Sequence, residues 1–123
     1  MYYAKYNNYY STKKQGKNDS KFEAGKAQEL ELLKKAKEIK DFREQEKIEL
    51  IVNNYLVATY KIDFTVEHND GTIEYIECKG YPTPQWKLKW KLFEALYGDK
   101  PGVKLTIEYQ GKGWKPQRRR IKN

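Results

Sequence analysis

Two alternating segments separated by a turn signal dominate the middle of the chain. Tyr55 to Glu67 and Thr72 to Lys79 are rich in β-branched and aromatic residues, and His68-Asn69-Asp70-Gly71 lies between them. That pattern predicts a β-hairpin. Its register follows from burial. Ile62, Phe64 and Val66 share one face of the first strand, and Asp63, Thr65 and Glu67 share the other. In the second strand Ile76 and Cys78 alternate with Tyr75, Glu77 and Lys79. A two-residue loop sets Phe64 opposite Glu77 and Ile62 opposite Lys79, which mixes charge into the apolar face. A three-residue loop, Asn69 to Gly71, sets Phe64 opposite Ile76 and Ile62 opposite Cys78. A slip of one residue turns every side chain to the other face, so the burial pattern selects the three-residue loop. In that register Asp63 stands opposite Glu77, roughly 5 Å apart at Cβ. Lys79 follows on the same face.

Like charges opposed in this way destabilise a sheet. A divalent cation of the Mg²⁺ type reverses the sign of the effect, because it favours carboxylate oxygens and retains water ligands. Such an ion lowers the pKa of bound water and stabilises charge developing on a phosphate. Lys79 can orient or help deprotonate the attacking water, or offset phosphate charge. The alternative is an exposed sheet face carrying a Lys–Glu cross-strand network.

The flanking segments complete an α/β order. Ser20 followed by Glu23 fits a capping box. Phe22, Leu30, Leu33 and Ala36 then recur at helical spacing, predicting a helix to about Lys37. Ile39 and Phe42 fall in a connector, Lys47 to Val52 alternates as a short strand, and Asn53-Asn54 makes a turn. Pro84 suits a first helical position. Trp86, Trp90, Phe93 and Tyr97 mark one stripe of a second helix that Gly98 and Pro101 end, and Val103 to Tyr109 alternates as a last strand.

Charge is distributed unevenly. The chain has 123 residues, which suits one domain, and a net charge of +8. Residues 1–19 carry Lys5, Lys13, Lys14 and Lys17 against Asp19. Residues 110–123 carry Lys112, Lys115, Arg118, Arg119, Arg120 and Lys122 with no acid. The segment 20–109 is near neutral. Basic arms of this kind meet a polyanion, nucleic acid being the commonest, or serve only as solubilising tails. The predicted organisation is a Tyr-rich basic arm over 1–19, one domain over 20–109 and a basic tail over 110–123. The single cysteine, Cys78, excludes an internal disulfide and a cysteine-cluster zinc site. The longest apolar run, Tyr55 to Ala58, is far short of a membrane span. With no apolar stretch resembling a signal peptide, the expected compartment is a reducing cytoplasm.

Asp63 followed by Glu77-Cys78-Lys79, after a helix containing Glu23, resembles the PD-(D/E)XK nuclease superfamily, whose core order is αβββαβ with a mixed central sheet flanked by helices. Ser20 to Ala24, Gln45, Ile62 to Phe64, Glu77 to Gly80 and Thr83 to Lys91 look like small phage-encoded endonucleases described as Holliday-junction-resolvase-like. The resemblance covers roughly residues 18–109. Ile62 stands where the superfamily name has proline, Glu77 where the small family more often has Asp, and Glu46 where proline follows the glutamine. The resemblance implies Asp63 and Glu77 as ligands of Mg²⁺ or Mn²⁺, with the Cys78 backbone carbonyl as a third, and Lys79 as the catalytic lysine. Glu23 would help hold the metal or its water, beside its alternative role as a cap. Gln45 is a weaker candidate near the site.

The activity implied is metal-dependent hydrolysis of DNA phosphodiester bonds in phage or mobile-element DNA processing, with no small-molecule cofactor. Branched DNA is one candidate substrate. Junction cleavage needs two symmetric cuts and so implies a homodimer. The competing readings are a non-catalytic basic nucleic-acid-binding protein, and a nicking, flap or restriction-like nuclease on the same core. A phage-encoded chain would act in the host-cell cytoplasm. Lys87, Lys89 and Lys91, at the start of the second helix, and Lys115 are candidates for phosphate contact or a solvated face. Arg118, Arg119 and Arg120 read as backbone contacts, and Trp114 as a base-stacking residue. His68 reads as a turn residue and Cys78 as core.

Overall fold

The computed structural model describes residues 13–110, 113–116 and 118–121, with side chains from Lys21 onward. Six elements follow in order: α1 (Lys13–Lys35), β1 (Asp41–Val52), β2 (Tyr55–Glu67), β3 (Ile73–Lys79), α2 (Pro84–Tyr97) and β4 (Val103–Tyr109). The sheet order is β1-β2-β3-β4. The first two pairings are antiparallel, and β3 runs parallel to β4 with α2 as the crossover a parallel pair requires. The order is the one expected from the pattern, and the four-stranded sheet is mixed, as the resemblance implies.

The central hairpin closes in the register that burial selects. Phe64 lies opposite Ile76 and Glu67 opposite Ile73. The His68 amide donates to Thr72 O at 2.9 Å, which leaves Asn69 to Gly71 as the loop. Gly71, at φ 92°, occupies the position where such loops need a left-handed residue. The β1–β2 turn is tighter. Val52 pairs with Tyr55, and both Asn53 and Asn54 have positive φ, the two-residue arrangement that Asn tolerates. Pro84 opens α2, with the Thr83 hydroxyl accepting from the Trp86 amide at 3.2 Å.

Three local expectations are corrected. Helix α1 begins at Lys13, so Ser20 and Glu23 stand within it, not at its cap, and 13–19 are helical backbone, not arm. The earlier part of the predicted arm lies outside the described residues. Strand β1 begins at Asp41, taking in Phe42, because β2 provides a full-length partner: Asp41 pairs with Glu67 and Arg43 with Thr65. An ion pair from Arg43 to Glu67 adds to this edge. Finally, Ile62 does not share a core with Phe64 and Val66. Ile62 and Tyr60 pack with Trp86, Trp90 and Phe93 of α2, whereas Phe64, Val66, Ile76 and Cys78 pack with Leu30 of α1. In β3 the ring of Tyr75 meets Phe93 while its neighbour Ile76 joins the α1 cluster, so the helices cover opposite faces. The apolar residues of β2 therefore change layers at Asp63. Opposite this crease, between the pairs Glu44–Phe64 and Glu46–Ile62, Gln45 adopts φ 57°. A left-handed residue inside a strand breaks its alternation.

Helix α1 ends with Lys37 at φ 63°, its amide bonded to Lys34 O and that of Glu38 to Leu33 O. This is a Schellman closure built on a non-glycine residue. Lys37→Gly is expected to raise unfolding free energy by roughly 0.5–1 kcal/mol, since a side chain there opposes the left-handed conformation; urea denaturation would read the shift. Among the described residues no helix is long and apolar enough to cross a membrane.

Candidate active site

The crease at Asp63 gathers side chains from five elements. β2 supplies Tyr60 and Asp63, β3 supplies Glu77 and Lys79, β1 supplies Gln45, α1 supplies Glu23 and α2 supplies Trp86. Asp63 and Glu77 are both buried, at 7% and 4% exposure. They are the next residues in each strand after Phe64–Ile76, the last pair of the β2–β3 ladder. The alternative of an exposed sheet face does not describe the pair, which is covered; the half-buried Glu23 and Lys79 and the exposed Gln45 form the more open side.

Every oxygen of the acidic pair has a partner. The Cys78 amide donates to Asp63 Oδ2 at 2.9 Å, and Gln45 Nε2 donates to Asp63 Oδ1 at 3.2 Å and to Glu23 Oε1 at 3.3 Å. The left-handed backbone of Gln45 thus aims its amide between two acids from different elements. Tyr60 OH donates to Glu77 Oε1 at 2.8 Å and accepts from Trp86 Nε1 at 3.1 Å. Lys79 Nζ stands 3.5 Å from Glu77 Oε2 and 5.0 Å from the centroid of the Trp86 ring, a cation–π contact.

Burial first, and then the charge of Asp63, pushes the Glu77 carboxyl up to about 8; Lys79 and the Tyr60 hydrogen bond pull it back only in part. Burial also raises Tyr60, keeping it a hydrogen-bond donor. Burial raises the Cys78 thiol, in keeping with its place in the α1-side core.

Sequence reasoning missed Tyr60 and Trp86. Strict alternation puts Tyr60 on the face opposite Asp63, and only the layer change at the crease brings its hydroxyl to Glu77. Tyr60→Phe leaves a buried carboxylate oxygen and the Trp86 N–H without their partner. The expected cost is about 1–3 kcal/mol in denaturant unfolding, with little change in core packing.

The donor set suits a hard cation, two carboxylates with a backbone carbonyl beside them. Among the described residues no three His, Cys, Asp or Glu side chains form a ready-made metal cluster. A cation here would draw on Asp63, Glu77, the Cys78 carbonyl and water, a mixture that Mg²⁺ accepts.

The predicted nucleic-acid residues are more dispersed. Lys89 donates to Thr59 O at 3.3 Å, Lys91 is exposed, and Lys87 lies 5.3 Å from the Trp114 ring centroid. Lys115 and Arg119 are exposed. Arg118 and Arg120 both pair with Asp99, at 3.1 and 2.7 Å. Trp114, expected to be a free stacking residue, is seated against Trp86 at 5.7 Å because the C-terminal segment folds back along α2.

Fold and site together define an α/β protein whose mixed sheet holds a buried acidic pair and an adjoining lysine. The chain belongs to the family described as Protein of unknown function (DUF1064), whose model matches residues 3–111. No curated protein and no solved structure matches it.

Proposed function

We propose that this chain is a metal-dependent DNA endonuclease of the PD-(D/E)XK type, resembling the small resolvase-like endonucleases. The observation that carries the reading is the buried Asp63–Glu77 pair with Lys79 beside it. Two acids held together where the second is pushed up to about 8 are costly without a cation, and Lys79 stays within 3.5 Å of that second acid. A bound Mg²⁺ or Mn²⁺ supplies an activated water and neutralises charge on the scissile phosphate. The protein's own part is positional. The Cys78 amide and Gln45 hold Asp63, and Tyr60 holds one oxygen of Glu77 so that the other faces Lys79. Trp86 backs Lys79, whose ammonium is placed to orient the water or offset phosphate charge. The net charge of +8 favours a polyanionic substrate. A four-way junction as substrate carries a homodimer with it, because two symmetric cuts are needed.

The test is cleavage of labelled four-way junction, duplex and single-stranded DNA in Mg²⁺, Mn²⁺ or EDTA. Cutting in either cation and none in EDTA is expected. Cutting that persists in EDTA would sink the reading. Salt-sensitive binding without cutting on any substrate would replace it with a nucleic-acid-binding protein.

A further inference from the structure

A second recess lies beside the acidic site, walled by α2, β4 and the C-terminal segment. We propose that it is a subsite for an unpaired nucleobase of the bound strand, an inference that rests on DNA being the substrate. The cleft, open to solvent on one side, offers about 270 Å³ between Trp90, Tyr109, Trp114 and Leu105, with Glu94 and Lys115 also on its wall. That is several times the roughly 30 Å³ share of one water and just below the range of about 300–1,000 Å³ typical of drug-sized ligands. Aromatic and aliphatic walls at this size suit a single flat ring, since every base presents a π-face to an aromatic side chain.

Polarity narrows the occupant. The ammonium of exposed Lys115 suits the flanking phosphate, and the Glu94 carboxylate suits an exocyclic amine.

Position links the cleft to the chemistry. The Trp114 ring is 5.7 Å from Trp86, which itself lies 5.0 Å from Lys79 Nζ. One side chain therefore separates the cleft wall from the candidate catalytic lysine, so a nucleotide close to the reacting phosphate would reach it. The wall is held closely. Tyr109 OH donates to Trp114 O, and a Cβ on Gly113 would overlap the Tyr109 ring, so only glycine permits this approach.

An abasic scan tests the proposal without requiring cleavage. The full chain in EDTA at fixed salt is titrated with a junction and with a single strand, each carrying an abasic site at successive positions. One position is expected to weaken wild-type binding roughly tenfold. The same lesion should leave Trp114→Ala indifferent, because that variant has already lost the contact. Equal binding of intact and abasic DNA at every position, with metal-dependent cutting intact, would overturn the subsite alone. Base-dependent binding without cutting would keep the subsite and sink the nuclease reading. A lesion effect undiminished in Trp114→Ala would place the base elsewhere, and no DNA binding at all would remove both the subsite and the nuclease reading.

Discussion

Asp63→Asn is expected to lower metal-dependent cutting by about a thousandfold or more while making the cation-free protein more stable at pH 8. The first effect follows from removing half of the acidic pair. Charge stabilisation by a metal contributes several kcal/mol, and each 1.4 kcal/mol is tenfold in rate. The second follows from the origin of the Glu77 shift. The Asp63 charge is its largest electrostatic cause after burial, so neutralising it lets Glu77 ionise at lower cost. The asparagine keeps the local geometry. Its oxygen still accepts from the Cys78 amide, and the exposed Gln45 amide can flip to receive its NH₂ at the loss of its bond to Glu23. Cleavage rates in Mn²⁺ and thermal melts in EDTA read the two effects separately. A variant that cuts within tenfold of wild type, or that melts well below it, would remove Asp63 from the proposed role.

In EDTA, stability should fall as pH rises from about 5 to 8, and Mn²⁺ or Mg²⁺ should restore it most strongly at the upper end. The folded Glu77 carboxyl titrates near 8, above its ordinary 4.5, so between those values the folded state binds more protons than the unfolded one. Where that holds, stability declines with pH. The Glu77 contribution is fully present below about 4.5 and is lost as pH passes through about 8. A cation held by Asp63 and Glu77 would reverse this, because it would bind the ionised Glu77 carboxylate in competition with its proton. At a hundredfold excess over its Kd a ligand adds about 2.7 kcal/mol, on the order of a 10 °C rise in Tm for a domain of this size. The rise should shrink at pH 6, where proton and cation compete. Melts across pH with EDTA or Mn²⁺ decide it, and a Tm indifferent to the cation at pH 8 would argue against a metal at this pair.

Much of this arrangement could be read from local pattern. The register of β2 against β3 followed from alternation and one turn, because a slip would have exposed the apolar residues. The ends of α2 followed from Pro84 and Gly98. Where reasoning fell short, tertiary contacts outweighed local signals. Ser20 and Glu23 mimic a cap, yet α1 runs back to Lys13. The charged stretch from Asp41 to Glu46 has little β pattern, yet β2 pairs with it throughout.

The sequence alone determined the element order and the register of the hairpin from its turn to the Phe64–Ile76 pair, since period-two alternation and turn chemistry are local properties. The tertiary structure decided what surrounds those charges. The left-handed Gln45 at the crease lets β2 serve two cores, which turns Tyr60 toward Glu77 and buries the acidic pair. The fold-back of the C-terminal segment puts Trp114 on Trp86 and pairs Arg118 and Arg120 with Asp99. Burial and long-range contact depend on how distant segments pack, and no local pattern in the chain encodes that.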